Sequence, residues 1–295
     1  MLFFKKRKKH EKPKPPEINI VPSNNAQKIM NFLGCRCEYF PQSATNTALI
    51  NEYGAARKQW RNGADFFPVI IVVGDTLAEW LTEIISEEKT PQQLREEILS
   101  KASLRDKPLI TEGKTREQIL EQARINACED GKQLIQKLIE TRREEMLFDE
   151  GMDFEDFSEA DVLRESCEGH AVRKFIGFRD YQKNCVMETI LAYIPTRKPF
   201  EVFAWVPFGG WNECPPAEDM VKIARYWYFK YNAHPAVISH DTLEFLCAPL
   251  DMKNAMEAAV EHYAVCPDNV DQGIGTVAAL ADSLTKSTVW WFWWD

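Results

Sequence analysis

The pattern of apolar and polar positions divides this chain into predicted strands and helices. The clearest strand is residues 68–73, where a proline is followed by five aliphatic residues. Because such a run is apolar on both sides, it is typical of a central strand that is covered on both faces. Helical spacing of apolar residues predicts helices over residues 24–33, 45–60 and 77–85. The first part of the chain therefore has an α/β pattern.

The middle of the chain is more polar. Residues 91–147 are mostly helical by their pattern, and residues 140–168 contain twelve acids against three arginines. An acidic stretch of this kind favours a mobile surface segment or a linker between domains. Two more strands are predicted after it, over residues 172–178 and 186–194, and a domain boundary follows near residue 196.

The last hundred residues have the most regular pattern. It predicts strands over residues 202–206, 236–239, 243–247 and 289–294, with helices over 216–231, over 252–265 and from residue 276 onwards. Without its extra helix, this β-α-β-β-α-α-β order is that of ferredoxin-like folds. We therefore predict an α/β (α+β) protein whose C-terminal domain is a ferredoxin-like or related α/β sandwich. The predicted divisions are a flexible basic arm at 1–17, an N-terminal α/β region with a helical acidic middle at 18–195, and an aromatic-rich α/β domain at 196–295.

A run of large aromatic residues ends the chain. Side chains alternate along a strand, so Trp290, Phe292 and Trp294 would share one face, and Trp291 and Trp293 the other. Aromatic side chains of this size need to be covered on both faces. Helices of the same domain can cover one face. The other face requires either the N-terminal region or another chain, so core and interface are both open for this strand.

Charge is distributed unevenly along the chain. The net charge is −9, but residues 1–14 hold seven basic residues and one acid of the totals of 36 and 45, which leaves −15 for the remainder. A body this negative disfavours nucleic-acid binding through the folded part and suits a basic protein partner. The basic arm, with apolar residues at its start, predicts at most weak peripheral contact with an anionic membrane.

Cysteine usage and hydropathy indicate the compartment. The eight cysteines are scattered and none is spaced C-x-x-C. No apolar run reaches the roughly 18 residues that a membrane span needs, and the N-terminal order of apolar then basic residues is not that of a signal peptide. We therefore expect a cytoplasmic protein with reduced thiols. The cysteines and histidines do not cluster at metal-ligand spacing, so we expect no structural zinc and no other metal.

Several segments of the C-terminal region resemble one known family. The longest is FAWVPFGGWN at residues 203–212, followed by Cys214-Pro215. The others are Ser239-His240-Asp241, His262-Tyr263-Ala264, CPDNVDQG at residues 266–273, and the terminal Trp293-Trp294-Asp295. Together they are similar to the bacterial family known as domain of unknown function 4253, over about residues 202–295, with a weaker likeness near 66–80. The resemblance implies a bacterial intracellular protein and supplies no activity.

Two polar loops and one turn of the C-terminal domain hold most of its reactive side chains. The candidate functional surface consists of Trp211, Asn212, Cys214, His240, Asp241, Asp268, Asp271 and Gln272. If the loops converge, they form a pocket with an aromatic wall and several acceptors, as in small-ligand sites.

Three chemical roles are open for these residues. Cys214 or Cys266 with His240 could act as nucleophile and base, although no nucleophile motif surrounds them. The aspartates could hold a divalent cation, although their spacing is not that of an EF-hand. The third role is structural, with Asp268 and Asp271 ordering a tight loop. The chain has neither a G-x-G-x-x-G nor a P-loop motif, and we expect no cofactor.

These observations favour a non-enzymatic intracellular binding module over an enzyme. In the leading hypothesis, an immunity-type or adaptor protein uses its acidic surface to mask a basic partner. The alternative is a hydrolase or a small-ligand binder that uses the two C-terminal loops. No residue carries a catalytic assignment, because no group in the sequence shows the preorganised setting that catalysis needs.

Overall fold

The computed structural model describes residues 21–85, 89–102, 112–150 and 168–295 and centres on a mixed sheet of six strands. The strands are β1 Arg36–Phe40, β2 Phe67–Val72, β3 Arg179–Asp180, β4 Cys185–Val186, β5 Thr189–Ile194, β6 His234–Ile238, β7 Thr242–Leu246 and β8 Val289–Trp293. The helices are α1 Asn24–Leu33, α2 Thr47–Arg61, α3 Asp75–Glu83, α4 Pro91–Ala102, α5 Arg116–Glu150, α6 Val202–Trp205, α7 Ala217–Tyr231, α8 Met252–Val265 and α9 Val277–Leu284. The predicted mixed α/β class is confirmed.

Strand β2 lies inside the sheet, whose order is β1-β5-β2-β6-β7-β8. All its residues are buried, which confirms the central strand predicted from the aliphatic run. It pairs antiparallel with β5 and parallel with β6. Since β5 precedes residue 196 and β6 follows it, one sheet combines strands from both sides of the predicted boundary.

Each face of the sheet packs against a different part of the chain. On one face, residues such as Ile71 and Phe245 join a large core formed with α1 and α3–α9. On the other face, Ile70 and Val237 pack against α2 and against residues 175–187. The core on this second face is the smaller of the two. A cleft lies at one end of the sheet.

The predicted strand at residues 202–206 is wrong, because these residues form helix α6. A 3-10 helix, Pro199–Glu201, leads into it, with the proline in its first turn. Val202, Phe203 and Ala204 are all buried, so their pattern lacks the alternation that separates a strand from a helix. In a short run of apolar residues, no alternation with polar residues is present to distinguish a strand from a helix.

Two other predicted strands also differ. Residues 172–178 form no strand, because Val172 accepts hydrogen bonds from the backbone N–H groups of Thr288 and Val289 instead of joining a ladder. Residues 186–194 divide into β4 and β5. The sheet order also departs from the ferredoxin-like arrangement. Strands β6, β7 and β8 are neighbours in chain order, and β2 lies between β5 and β6.

The alternation predicted for the terminal aromatic strand is confirmed. Trp290, Phe292 and Trp294 are 1%, 1% and 2% exposed, whereas Trp291 and Trp293 are half-buried on the other face. The buried set packs on Trp227 of α7, whose ring stacks on Phe292 at 5.3 Å between centroids. One face of β8 is therefore core.

Some predicted features lie outside the described residues. These are the basic arm at 1–17 and most of the acidic segment at 140–168. Within the part of the chain that is described, no helix is both long enough and apolar enough to pass through a bilayer.

Candidate functional site

A cleft of about 360 Å³ opens where β2 and β6 end. These two strands are parallel, with Ile71 opposite Ile238, so their carboxyl ends meet at the same edge of the sheet. In open α/β sheets, ligands bind outside the carboxyl ends of parallel strands. The cleft is lined by Val72, Val73, Gly74, Leu77, Ile176, Gly177, Arg179, Tyr181, Met187, Ser239, His240, Asp241, Thr242 and Trp291.

The turn between β6 and β7 forms one wall of the cleft and is fixed by side-chain hydrogen bonds. Ser239 Oγ accepts from the backbone N–H groups of Asp241 at 3.2 Å and Thr242 at 2.8 Å, and it donates to Asp241 Oδ1 at 2.8 Å. Thr242 Oγ1 also donates to that oxygen, at 3.0 Å. The Asp241 carboxylate is thereby held in place beside the imidazole.

His240 is the accessible member of this turn. Its Nε2 lies 3.2 Å from Asp241 Oδ2, and 47% of its side chain is exposed. The carboxylate fixes the orientation of the ring. An imidazole held in this way leaves its other ring nitrogen available to a bound ligand.

The opposite wall comes from the short β3–β4 hairpin. Arg179 and Tyr181 line the cleft from this hairpin, and Tyr181 is 71% exposed. Within the described ranges, the Arg179 guanidinium has no ion pair or hydrogen bond, although its backbone N–H donates to Ile176. In the part of the chain that is described, this cation of the cleft is therefore without an ion-pair partner.

Helix α3 begins at the floor of the cleft. Its N-cap is Gly74, which provides no side-chain cap, and Leu77 of its first turn lines the cleft. The first N–H groups of a helix lack partners within the helix and carry partial positive charge. Asp75 in this first turn offsets part of that charge and accepts a hydrogen bond from Asn25.

A buried carboxylate lies beside the cleft. Glu244 of β7 is fully buried; its Oε1 accepts from the Ile176 backbone N–H at 2.8 Å, and its Oε2 has no hydrogen-bond partner among the described residues. Burial raises the pKa of Glu244 to about 7. Gly177 allows this approach, because a Cβ at that position would lie 3.3 Å from Oε2.

The two polar C-terminal loops do converge, at the end of the chain and apart from the residues that line the cleft. The Asn212 side-chain amide donates to the backbone carbonyl of Asp295 in the terminal segment. The Trp211 ring packs 4.9 Å from Phe208 and 6.1 Å from Trp80, between ring centroids. The first loop is thus built into the aromatic core around the chain end.

The second loop covers the outer edge of β8. Asn269 donates from Nδ2 to Trp291 O at 2.7 Å and accepts from Trp293 N at 3.1 Å, so its amide replaces a neighbouring strand. Asp268 accepts from the backbone N–H of Asp295 at 3.0 Å and from Gln272 at 2.9 Å. Side chains that cover a strand edge in this way prevent unwanted pairing. Through these contacts Asp268 orders the loop and the chain end, which is one of the roles considered for it from the sequence.

The thiols of these loops are protected from reaction. Cys214 and Cys266 are buried, and burial raises the pKa of both, that of Cys266 to about 12. The Cys266 thiol donates to Trp293 O at 3.0 Å. A protonated buried thiol is a poor nucleophile. Burial also raises the pKa of Asp271, and no group of three or more His, Cys, Asp or Glu residues in the described ranges could hold a metal ion.

The eight candidate residues therefore form two groups. His240 and Asp241 line the cleft, and the other six lie around the end of β8. Sequence reasoning missed Arg179 and Tyr181, which come from a hairpin of two-residue strands without a readable pattern. It placed Trp291 on the face of β8 opposite Trp290 but had no means of assigning it to a cleft.

A mixed α/β fold with a cleft at the carboxyl ends of parallel strands is the architecture of many small-ligand proteins. Residues 190–295 match the family model described as Domain of unknown function (DUF4253), which confirms the resemblance found in the C-terminal sequence. The matched range runs from β5 to the chain end and includes His240, Asp241 and Trp291. No curated protein and no solved structure matches the chain.

Proposed function

We propose that the protein binds a small organic anion in the cleft between the carboxyl ends of β2 and β6. The observation that carries this proposal is the Arg179 guanidinium, which has no partner among the described residues and lies in a cleft of ligand size. Clefts of about 300–1,000 Å³ with a few polar groups on mostly apolar walls are typical of small-molecule sites.

The charged and apolar groups of the cleft suit the two ends of such a ligand. Arg179 supplies positive charge and the start of α3 supplies backbone N–H donors for a phosphate or carboxylate, and the His240 ring lies in the same cleft. Trp291, Tyr181 and Met187 supply apolar and aromatic surface for the remainder. We therefore propose a ligand that combines one anionic group with an apolar or planar part.

Thermal unfolding with small probes tests this proposal. Phenyl phosphate combines the anion and the ring, inorganic phosphate lacks the ring, and phenol lacks the charge. At ten times its dissociation constant a ligand stabilises the folded state by about 1.4 kcal/mol, which raises the Tm of a chain this long by about 2 °C. We expect phenyl phosphate to give this shift at lower concentration than either fragment.

A matched pair of variants localises the effect. Arg179→Gln should remove the response to phenyl phosphate. Lys183→Gln should keep it, because Lys183 lies in the same hairpin and pairs with Asp180 at 3.2 Å outside the cleft lining. Equal responses from both variants, or no response to any anion, would count against the cleft as the binding site.

We also propose a second candidate function, the masking of a basic protein partner. It is favoured by the net charge of −15 that remains without residues 1–14. Association driven by charge slows steeply as salt screens the field. A pull-down would support this function if it captures a basic protein that about 0.5 M salt releases. Charge reversal within residues 140–168 should then slow the association with that protein and leave phenyl phosphate binding unchanged.

A further inference from the structure

The two edges of the sheet differ in how they are covered. The outer edge of β8 is covered by Asn269, whose amide takes the place of a further strand. The opposite edge is β1, which pairs with β5 on its inner side. Among the described residues, the backbone of residues 36–40 has no hydrogen bond beyond that ladder. In this part of the chain, the outer edge of β1 is therefore open to a further strand.

The open edge carries backbone donors and acceptors at regular intervals. In an antiparallel ladder, the N–H and C=O groups of successive residues point alternately towards the neighbouring strand and away from it. The five residues of β1 span about 17 Å. Cys37 and Tyr39 pack against the main core on one face of the sheet. The strand is thus anchored through its faces, and alternate residues point their backbone groups outwards.

Two opposite charges lie next to each other on the other face of β1. Arg36 and Glu38 are two residues apart, so both side chains point to the same face. The Arg36 guanidinium lies 3.9 Å from the ring centroid of Tyr193 in β5, and Glu38 accepts a hydrogen bond from the hydroxyl of Tyr193 at 2.9 Å. The two side chains also pair with each other, and they are 60% and 32% exposed. Both charges are accessible at the open edge.

This charge pattern is complementary to itself. Two copies of β1 that are related by a two-fold axis run antiparallel, and the same patch then contacts itself. If the axis passes through Cys37, Arg36 of each copy lies opposite Glu38 of the other copy. Opposite charges in directly opposed positions stabilise an antiparallel pair, whereas like charges destabilise it. An axis through Glu38 would oppose two carboxylates, so the charges favour the axis through Cys37.

We infer that two copies of the protein associate through β1, antiparallel and with Arg36 of each copy opposite Glu38 of the other. The contact joins the two sheets into one continuous sheet with six strands from each copy. An edge of five residues is short compared with stable interfaces, which bury about 800 Å² on each partner. The dimer is therefore reversible, and its population depends on protein concentration.

Sedimentation velocity of the full-length protein tests this inference. Between about 1 μM and about 1 mM, we expect the protein to change from monomer to dimer. Amide hydrogen exchange at residues 36–40 should become slower over the same range, whereas exchange at residues 289–293 should stay constant. A protein that is monomeric at every concentration would overturn the inference, including the case in which residues 1–20 of the same chain cover the edge. So would a dimer that leaves exchange at residues 36–40 unchanged.

Exchanging the charges tests the register. Arg36→Glu places two carboxylates opposite each other in the dimer, and Glu38→Arg places two guanidinium groups opposite each other. Each change should weaken self-association at least about ten-fold. Lys253→Glu makes the same change of charge as Arg36→Glu at an exposed position of α8, far from β1 in the chain, and should associate like wild type.

Mixing the two charge variants provides the decisive comparison. In a pair formed by one copy of each variant, opposite charges again lie opposite each other at both positions. An equimolar mixture of Arg36→Glu and Glu38→Arg should therefore form a heterodimer at concentrations at which each variant alone is monomeric. A mixture that stays monomeric while the wild-type protein dimerises would overturn the register. The wild-type measurements do not depend on how the variants fold.

Discussion

Replacing Glu244 by glutamine should make the protein more stable at neutral and alkaline pH. The carboxyl group is fully buried, accepts a hydrogen bond from Ile176 and has no charged partner among the described residues to offset its ionisation. Ionising an acid in such a place is unfavourable because the charge loses its water. The glutamine side chain keeps the shape and the acceptor for Ile176 but cannot ionise.

The magnitude follows from the pKa. Burial moves it from 4.5 to about 7, and each unit corresponds to 1.36 kcal/mol, which gives about 3 kcal/mol in total. The folded pKa is raised, so the folded state binds more protons than the unfolded state between these values. Stability linked to this group is therefore fully present below pH 4.5 and is lost as pH rises through about 7.

Urea unfolding at a series of pH values between 4.5 and 8.5 measures this effect. The stability of Glu244→Gln relative to wild type should rise by about 3 kcal/mol across that range. His234 and His262, whose pKa values burial lowers to about 4 and about 3, titrate equally in both proteins and cancel in the difference. Glu79→Gln, at an exposed position of α3, is the matched control and should show no such trend. A difference that stays constant with pH would refute the reasoning.

Three further predictions concern the ends of the chain. Trp290→Ala should lower the free energy of unfolding by about 3–5 kcal/mol and Trp291→Ala by much less, because only the first is fully buried; similar losses in urea unfolding would contradict the assignment of faces. Asn269→Ala should lower it by about 2 kcal/mol by leaving edge groups of β8 without partners, whereas Gln272→Ala should be nearly neutral. Deleting residues 1–14 should leave the Tm unchanged but remove binding to anionic vesicles, and salt-independent vesicle binding by the shortened protein would show that the arm is not the anchor.

The elements that could be predicted are those whose pattern of apolar residues is compatible with only one kind of secondary structure. The run at residues 68–73 is apolar on both sides, and among short strands only a central position buries both faces. The alternation in β8 follows from strand geometry alone, so Trp290 and Trp291 could be placed on opposite faces. By contrast, residues 202–206 are all apolar and show no periodicity, and for this reason a strand was predicted where the chain forms a helix.

The candidate site was harder to predict because it depends on contacts between distant parts of the chain. The parallel pairing of Ile71 with Ile238 brings Gly74 and His240 to one edge, and no local pattern indicates which strands become neighbours. Arg179 reaches the same cleft from strands of two residues. Loop ordering was one of the roles left open for Asp268, and the strand edge that it covers is visible only in the fold.

The proposed binding cleft is tested most directly by backbone amide NMR on the full-length protein during titration with phenyl phosphate. The account predicts that the amide signals of Gly74 and of Ser239–Thr242 move with a common dissociation constant, because these residues line the cleft. Signals from Asp268 and Gln272, which contact each other and the chain end, should stay in place. Movement confined to residues 268–272 and 211–214 would contradict the account and place binding at the two C-terminal loops instead.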